Sequence, residues 1–265
     1  MPTLHGPFLF LGTMGDVNAY KIAGSDKTYA RAKPGPTKNQ IKNDPGFVRT
    51  RENNNAWGGC SKFSAEIRHA AGPLERCMNP YISGILTGLG KKIEKLDTEG
   101  NRGERAIYIS RARHWLKDYD LNRDRLFNSV MRNPLTCDLS REDRSATVEI
   151  PELIPGIHLV PGNDYPVYRI SLLLAEVSDI ILDTLGYTVA VDMPGRNRAT
   201  FDSGWHSTRQ KLEAQQVKLN LKTGGALTDH QSLILYASIE WGAYDDINQI
   251  SSVPKKGSAK IVALV

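Results

Sequence analysis

A chain of 265 residues has room for one large or two ordinary domains and for a sizeable core. Its apolar fraction of 40% and charged fraction of 24% exclude a chain disordered throughout. The net charge of +5 is uneven: residues 1–150 hold 24 Lys/Arg against 17 Asp/Glu, and residues 151–265 hold 10 against 12. That asymmetry can draw nucleic acid, an acidic surface or an oppositely charged copy of the chain to the basic half.

Cys60, Cys77 and Cys137 are odd in number and far apart, without a CxxC pair. They form neither a disulfide framework nor a zinc site and read as reduced thiols, which predicts a cytoplasmic site of synthesis. The apolar run Phe8–Leu11 lacks a basic flank and is too short for a signal peptide. Ile170–Ile181 is broken by Glu176 and Asp179, so no membrane insertion is expected.

In chain order, Phe8–Leu11, Val17–Ile22 and Lys27–Arg31 read as a small hairpin broken by Gly12, Gly15 and the turn Ala23–Asp26. Residues 33–55 are basic, polar and punctuated by Pro34, Pro36 and Pro45, and they predict an extended arm with a short helical piece near Thr50–Asn55. Trp57–Ala71 has Phe63, Ile67 and Ala70 on one helical face and stops at Gly72-Pro73. A second helix is predicted over Asn79–Leu96, where Gly84, Gly88 and Gly90 offer close packing against another backbone. Asp97–Arg105 is a charged loop, and Ala106–Leu116 a short helix or strand.

From Ala146 the pattern turns to strands: Ala146–Ile150, Tyr165–Ala175, Ile180 or Tyr187–Asp192, Gln210–Lys222, Gln231–Trp241 and Ser258–Val265. Turns are predicted at Pro161–Asp164, Pro194–Asn197 and Thr223–Gly225. Tyr168, Ile170, Leu172 and Leu174 alternate along one strand. Leu235, Ala237, Ile239 and Trp241 do so along another, with Ser238 and Glu240 on an expected wetter face. The predicted fold is α+β and predominantly β: an antiparallel β-sandwich body over 146–265, a helical region over 56–145, and an N-terminal hairpin and basic arm over 1–55.

No catalytic pattern stands out. Asp118, Asp120, Asn122 and Asp124 begin like a calcium loop, but the glycine and glutamate such a loop needs fall on Arg123 and Ser129, or on Arg125 and Met131. The expected alternative is ion pairing with Arg111, Arg113, Arg123 and Arg125. Cys60 and His69 sit nine residues apart on one helix, about 13 Å along its axis, too far to act as a pair. HExxH, GxSxG and phosphate-loop spacings are absent from the sequence, so the expectation is a non-enzyme without cofactor or metal.

Five pieces carry a resemblance. They are Gly12–Lys21 with Arg31–Pro36, Arg49–Asn54 with Trp57–Cys60, Lys95–Gly100, Ile239–Gly242 and Gly257–Ile261. Together they resemble uncharacterised proteins of Bacteroidota, a resemblance that implies no activity. The glycine-rich hairpin followed by an arginine and a basic arm is also similar to the starts of phage-like structural proteins, which implies a subunit of an assembly.

The reading is a self-assembling subunit of a filament, tube or ring, joined by strand or arm exchange. Its contact residues are Phe8, Phe10, Val17, Tyr20, Arg31, Lys33, Lys38, Lys42, Arg49 and Arg51. The alternative is a nucleic-acid-binding protein that uses Lys38, Lys42, Arg49 and Arg51 on phosphates and Trp57 on a base. A third reading gives the loop Pro194–Asp202 a glycan or protein partner.

Overall fold

The computed structural model describes residues 2–4, 6, 9–32, 35–160, 165–193, 197–222, 225–245 and 249–265. The predicted turn Pro161–Asp164 lies outside them, as do Pro194–Arg196 and Thr223-Gly224 of the other two turns. The chain divides into two units, Met1–Arg51 and Glu52–Val265.

The first unit is a four-stranded antiparallel sheet, larger than the expected hairpin. Its strands are β1 (Thr3–Leu4), β2 (Gly12–Met14), β3 (Val17–Lys21) and β4 (Thr28–Ala32), in the order β1-β4-β3-β2. Residues 38–55 are not an extended arm. Helix α1 (Lys38–Asn43) starts at Thr37, whose hydroxyl accepts from the Gln40 amide while the Gln40 side chain accepts from the Thr37 amide. This reciprocal cap outweighs the extended bias of the prolines. Asp44, extended before Pro45, caps a short 3-10 turn over Pro45–Phe47. Helix α2 (Val48–Ala71) follows directly, so it begins nine residues before Trp57.

In the second unit, α2 ends at Gly72, whose φ of +53° is the left-handed turn-off a glycine accepts. Helix α3 (Ile82–Glu94) packs on α2. A Cβ at Gly90 would stand 2.8 Å from the Phe63 ring and 3.4 Å from the Cys60 backbone, so this glycine sets the approach of the two helices. Short helices α4 (Arg113–Leu116) and α5 (Phe127–Val130) flank the two-residue strand β5 (Tyr119–Asp120).

The remaining strands are β6 (Thr136–Ser140), β7 (Ser145–Ile150), β8 (Val167–Ser178), β9 (Ile180–Asp183), β10 (Gly186–Val189) and β11 (Arg198–Asp202). They continue with β12 (His206–Ser207), β13 (Gln215–Asn220), β14 (Gln231–Tyr244), β15 (Ile250–Ser252) and β16 (Ser258–Leu264). A seven-stranded antiparallel sheet runs β11-β8-β14-β16-β5, with β12 on β8 and β15 on β14. A three-stranded sheet, β13-β7-β6, faces it, and β9 and β10 form a hairpin.

The alternation in β8 and β14 is as expected, with Ile170, Leu172, Leu235 and Ile239 packing toward Val148 and Leu219 of the smaller sheet. The expected wetter face is instead buried. Leu173, Ala175, Ile234 and Tyr236 pack against Phe63, Ile67 and Leu86 of α2 and α3. The body is therefore a two-sheet sandwich with helices as a third layer on the larger sheet. Ser238 and Glu240 are buried on the helical side, and Glu240 pairs with Arg169 and Arg76. The Tyr236 hydroxyl donates to the Ile67 carbonyl at 2.8 Å, tying the middle strand to α2. Among the described residues no helix is long and apolar enough to cross a membrane.

Candidate functional site

The N-terminal sheet has an unusual balance of buried and exposed side chains. Among its unit's described residues only Ala19, Thr28 and Ala30 are buried, while Leu9 (57%), Leu11 (62%), Met14 (63%) and Val17 (41%) lie open. Pairing register explains the faces. Met14, Val17 and Ala32 stand opposite one another, as do Gly12, Ala19 and Ala30, so one face is apolar and low over these two rows and ends in the Lys21–Thr28 pair. On the other face Tyr20 stands opposite Tyr29, their ring centroids 6.1 Å apart, and the Arg31 guanidinium lies 5.1 Å over the Tyr20 ring.

Strand β2 ends the sheet, is exposed along its whole length and carries no charge. Three edge strands of the body are guarded, β6 by Asp138, β11 by Arg198 and Asp202, and β13 by Lys218, whereas the short β10 and β15 carry no charge. Charge on an edge discourages pairing with another chain. The edge at β2 lacks that guard.

Of the expected contact residues, Val17, Tyr20 and Arg31 share this sheet, and Phe10 is half-buried just before β2. Phe8 and Lys33 lie outside the described residues. Lys38 and Lys42 are exposed one turn apart on α1, and Arg49 is exposed early in α2. Arg51 donates to the carbonyls of Ile41 and Asp44 at 2.8 and 3.0 Å, so it staples the turn after α1. Trp57 is 53% exposed on α2, in the second unit. The unit 1–51 holds eight Lys/Arg against three Asp/Glu, so it carries the whole net charge of the chain.

The other candidates have structural roles. Asp118 pairs with buried Lys260 at 2.7 Å, Asp120 accepts from the Phe127 amide and Asp124 from the Asn79 side chain. Asn122 donates to the carbonyls of Cys77 and Gly257. The acidic run therefore pins β5 and its loop to the body, and among the described residues its carboxylates meet these partners in place of the expected arginines. Among the described residues no cluster has the donors to hold a metal. Cys60 faces the core and His69 the solvent. Burial pushes the thiols of Cys60 and Cys77 up to about 11, away from the reactive thiolate. In the loop 194–202, the stretch Arg198–Asp202 is strand β11, paired to β8.

One grouping escaped sequence reasoning because its members are far apart. Buried Asp179 accepts from the Ser110 amide and hydroxyl at 2.9 and 2.7 Å and lies 3.1 Å from His230 Nδ1. Serine and histidine both address the carboxylate, and among the described residues no bond joins them. The serine is not activated by the imidazole, so the trio braces a loop. Comparison of the chain with protein-family models, curated proteins and solved structures returned no match.

Proposed function

We propose that the protein is a self-assembling subunit of a filament, tube or ring, and that strand β2 with its apolar neighbours is the joint to a second copy. The observation that carries this reading is the uncharged edge Gly12–Met14, exposed throughout and flanked by exposed Leu9, Leu11 and Val17. An unpaired strand offers a row of backbone donors and acceptors, and another copy can extend the sheet there. The apolar face of β2 and β3 adds area that water covers poorly.

Charge points to a copy of this chain as the occupant. The first 51 residues are strongly basic, while residues 151–265 carry two more acids than bases. A basic N-terminal unit meeting an acidic C-terminal half is a heterologous contact, which closes into a ring or runs on as a filament.

The test is light scattering and negative-stain electron microscopy of the purified protein at low and high salt, beside a Met14→Asp/Val17→Asp variant. The expected result is ordered polymers or rings that weaken with salt and vanish in the variant. A wild-type protein that stays monomeric at every salt and concentration contradicts the proposal.

A further inference from the structure

Helix α3 was expected to use all three of its glycines for packing. Gly90 does, but a Cβ at Gly84 or Gly88 would meet nothing within 4 Å. These two glycines, one turn apart, floor an open groove of about 420 Å³. Its walls are apolar and aromatic: Ile85 and Leu89 from the same helix, and Trp115 and Tyr119 from α4 and β5. At its rim stand Lys92 and Arg123.

The polar groups of this groove have one character. No carboxylate lines it. Lys92, Arg123 and the Trp115 indole N–H are donors only, and the Tyr119 hydroxyl is able to donate. Among the described residues, none of these four side-chain groups has a hydrogen-bond or ion-pair partner. Arg123 is unpaired because the nearby acids are already engaged, Asp118 by Lys260, Asp120 by a backbone amide and Asp124 by Asn79. An occupant that complements the groove brings acceptors and negative charge to the rim, where Lys92 and Arg123 are exposed, and a flat apolar surface to the walls.

We propose that this groove binds single-stranded nucleic acid, one base lying against Trp115 and Tyr119 and its flanking phosphates on Lys92 and Arg123. A base has a flat face for the aromatics, and the phosphates supply the acceptors and charge. In a duplex those faces are stacked against neighbouring bases, so a single strand is the form the groove admits. A neutral sugar lacks the charge, and inorganic phosphate leaves the apolar walls uncovered. The missing side chains at Gly84 and Gly88 give the ring its room. These residues differ from the basic cluster of the N-terminal unit and from the assembly edge, so this site stands or falls apart from self-assembly.

The experiment uses the full chain and a fluorescein-labelled 12-mer of oligothymidylate, with binding read by anisotropy across a salt series. Three variants carry it: Gly88→Leu fills the groove, Lys92→Glu/Arg123→Glu reverses its rim, and Lys38→Glu/Lys42→Glu serves as the control. Thermal melting checks that each variant folds. Filling the groove is expected to weaken binding about tenfold or more, the loss of one stacked base. Reversing the rim is expected to weaken binding and to lower the salt slope by about 2, one for each phosphate contact. The control variant is expected to bind like wild type, and a duplex of the same length more weakly than the single strand. No binding at low salt overturns the proposal. So does unchanged binding by folded Gly88→Leu, or loss of binding in the control variant alone. Equal competition by an acidic polysaccharide through the same residues would make the groove a general polyanion site and overturn the base assignment.

Discussion

The two sheets that begin and end this chain solve the same problem in different ways. In the body, β8 and β14 are covered on both faces, by a second sheet on one side and by α2 and α3 on the other. In the N-terminal unit, four short strands bury three small side chains and leave Met14 and Val17 in the open. A sheet that covers both faces internally is stable by itself. One that covers only the centre of its apolar face and leaves the β2 margin and an uncharged edge open gains most from a surface outside it. On this reading the body is the part that folds and the N-terminal unit the part that joins.

That contrast is broken most severely in the body core. Phe63→Ala empties the centre of the helical layer, where the ring touches Gly90, and should cost about 3–5 kcal/mol in urea unfolding. A loss near zero would mean that the helices do not hold the sheet.

Glu240 comes next. It is buried on the helical face, takes a two-nitrogen contact from Arg169 at 2.6 and 2.5 Å, and meets Arg76 at 2.8 Å. Glu240→Ala leaves Arg169 only its contacts to half-exposed Asp202 and the Trp205 ring and should cost about 3 kcal/mol. A Glu240→Ala/Arg169→Met double variant should recover part of that loss, and a purely additive double variant would contradict the pairing.

The buried thiols predict a pH effect. Burial raises the folded pKa of Cys60 and Cys77 from 9.0 to about 11. Both states hold the proton below the unfolded value. Above it the unfolded chain ionises first, so stability is lost as pH climbs from 9.0 toward 11. Unfolding curves across that window should show the fall. In native protein at neutral pH, a thiol reagent should label half-buried Cys137 ahead of Cys60 and Cys77.

The smallest effect has the opposite sign. Among the described residues the buried Tyr168 hydroxyl has no hydrogen-bond partner, and burial raises its pKa to about 12. Tyr168→Phe removes an unsatisfied polar atom and should stabilise the body by about 1 kcal/mol. A destabilised variant would show that the hydroxyl has a partner.

Local pattern made much of the body legible. Period two in Tyr168–Leu174 and Leu235–Trp241 marked the two central strands, and Gly72-Pro73 marked the end of α2. The third layer was not legible, because serines and a glutamate on the second face read as solvent-facing. Only the distant Arg76 and Arg169 show that Glu240 is paired and buried. The early start of α2 was hidden because Arg49–Asn55 has no apolar stripe, whereas α1 had a readable start in Thr37 with Gln40 three residues on. At the candidate joint, Val17, Tyr20 and Arg31 were placed on strands from spacing alone. The exposed edge at β2 required the strand order, which no local pattern contains.

The most direct test of the joint is amide hydrogen exchange measured across protein concentration. If a second copy covers β2, amides in Leu9–Ile22 gain protection as concentration rises, while those of β8 and β14 stay unchanged. Slow exchange in Leu9–Ile22 that is the same at every concentration would show that the edge is covered within one chain, and it would contradict the assembly reading.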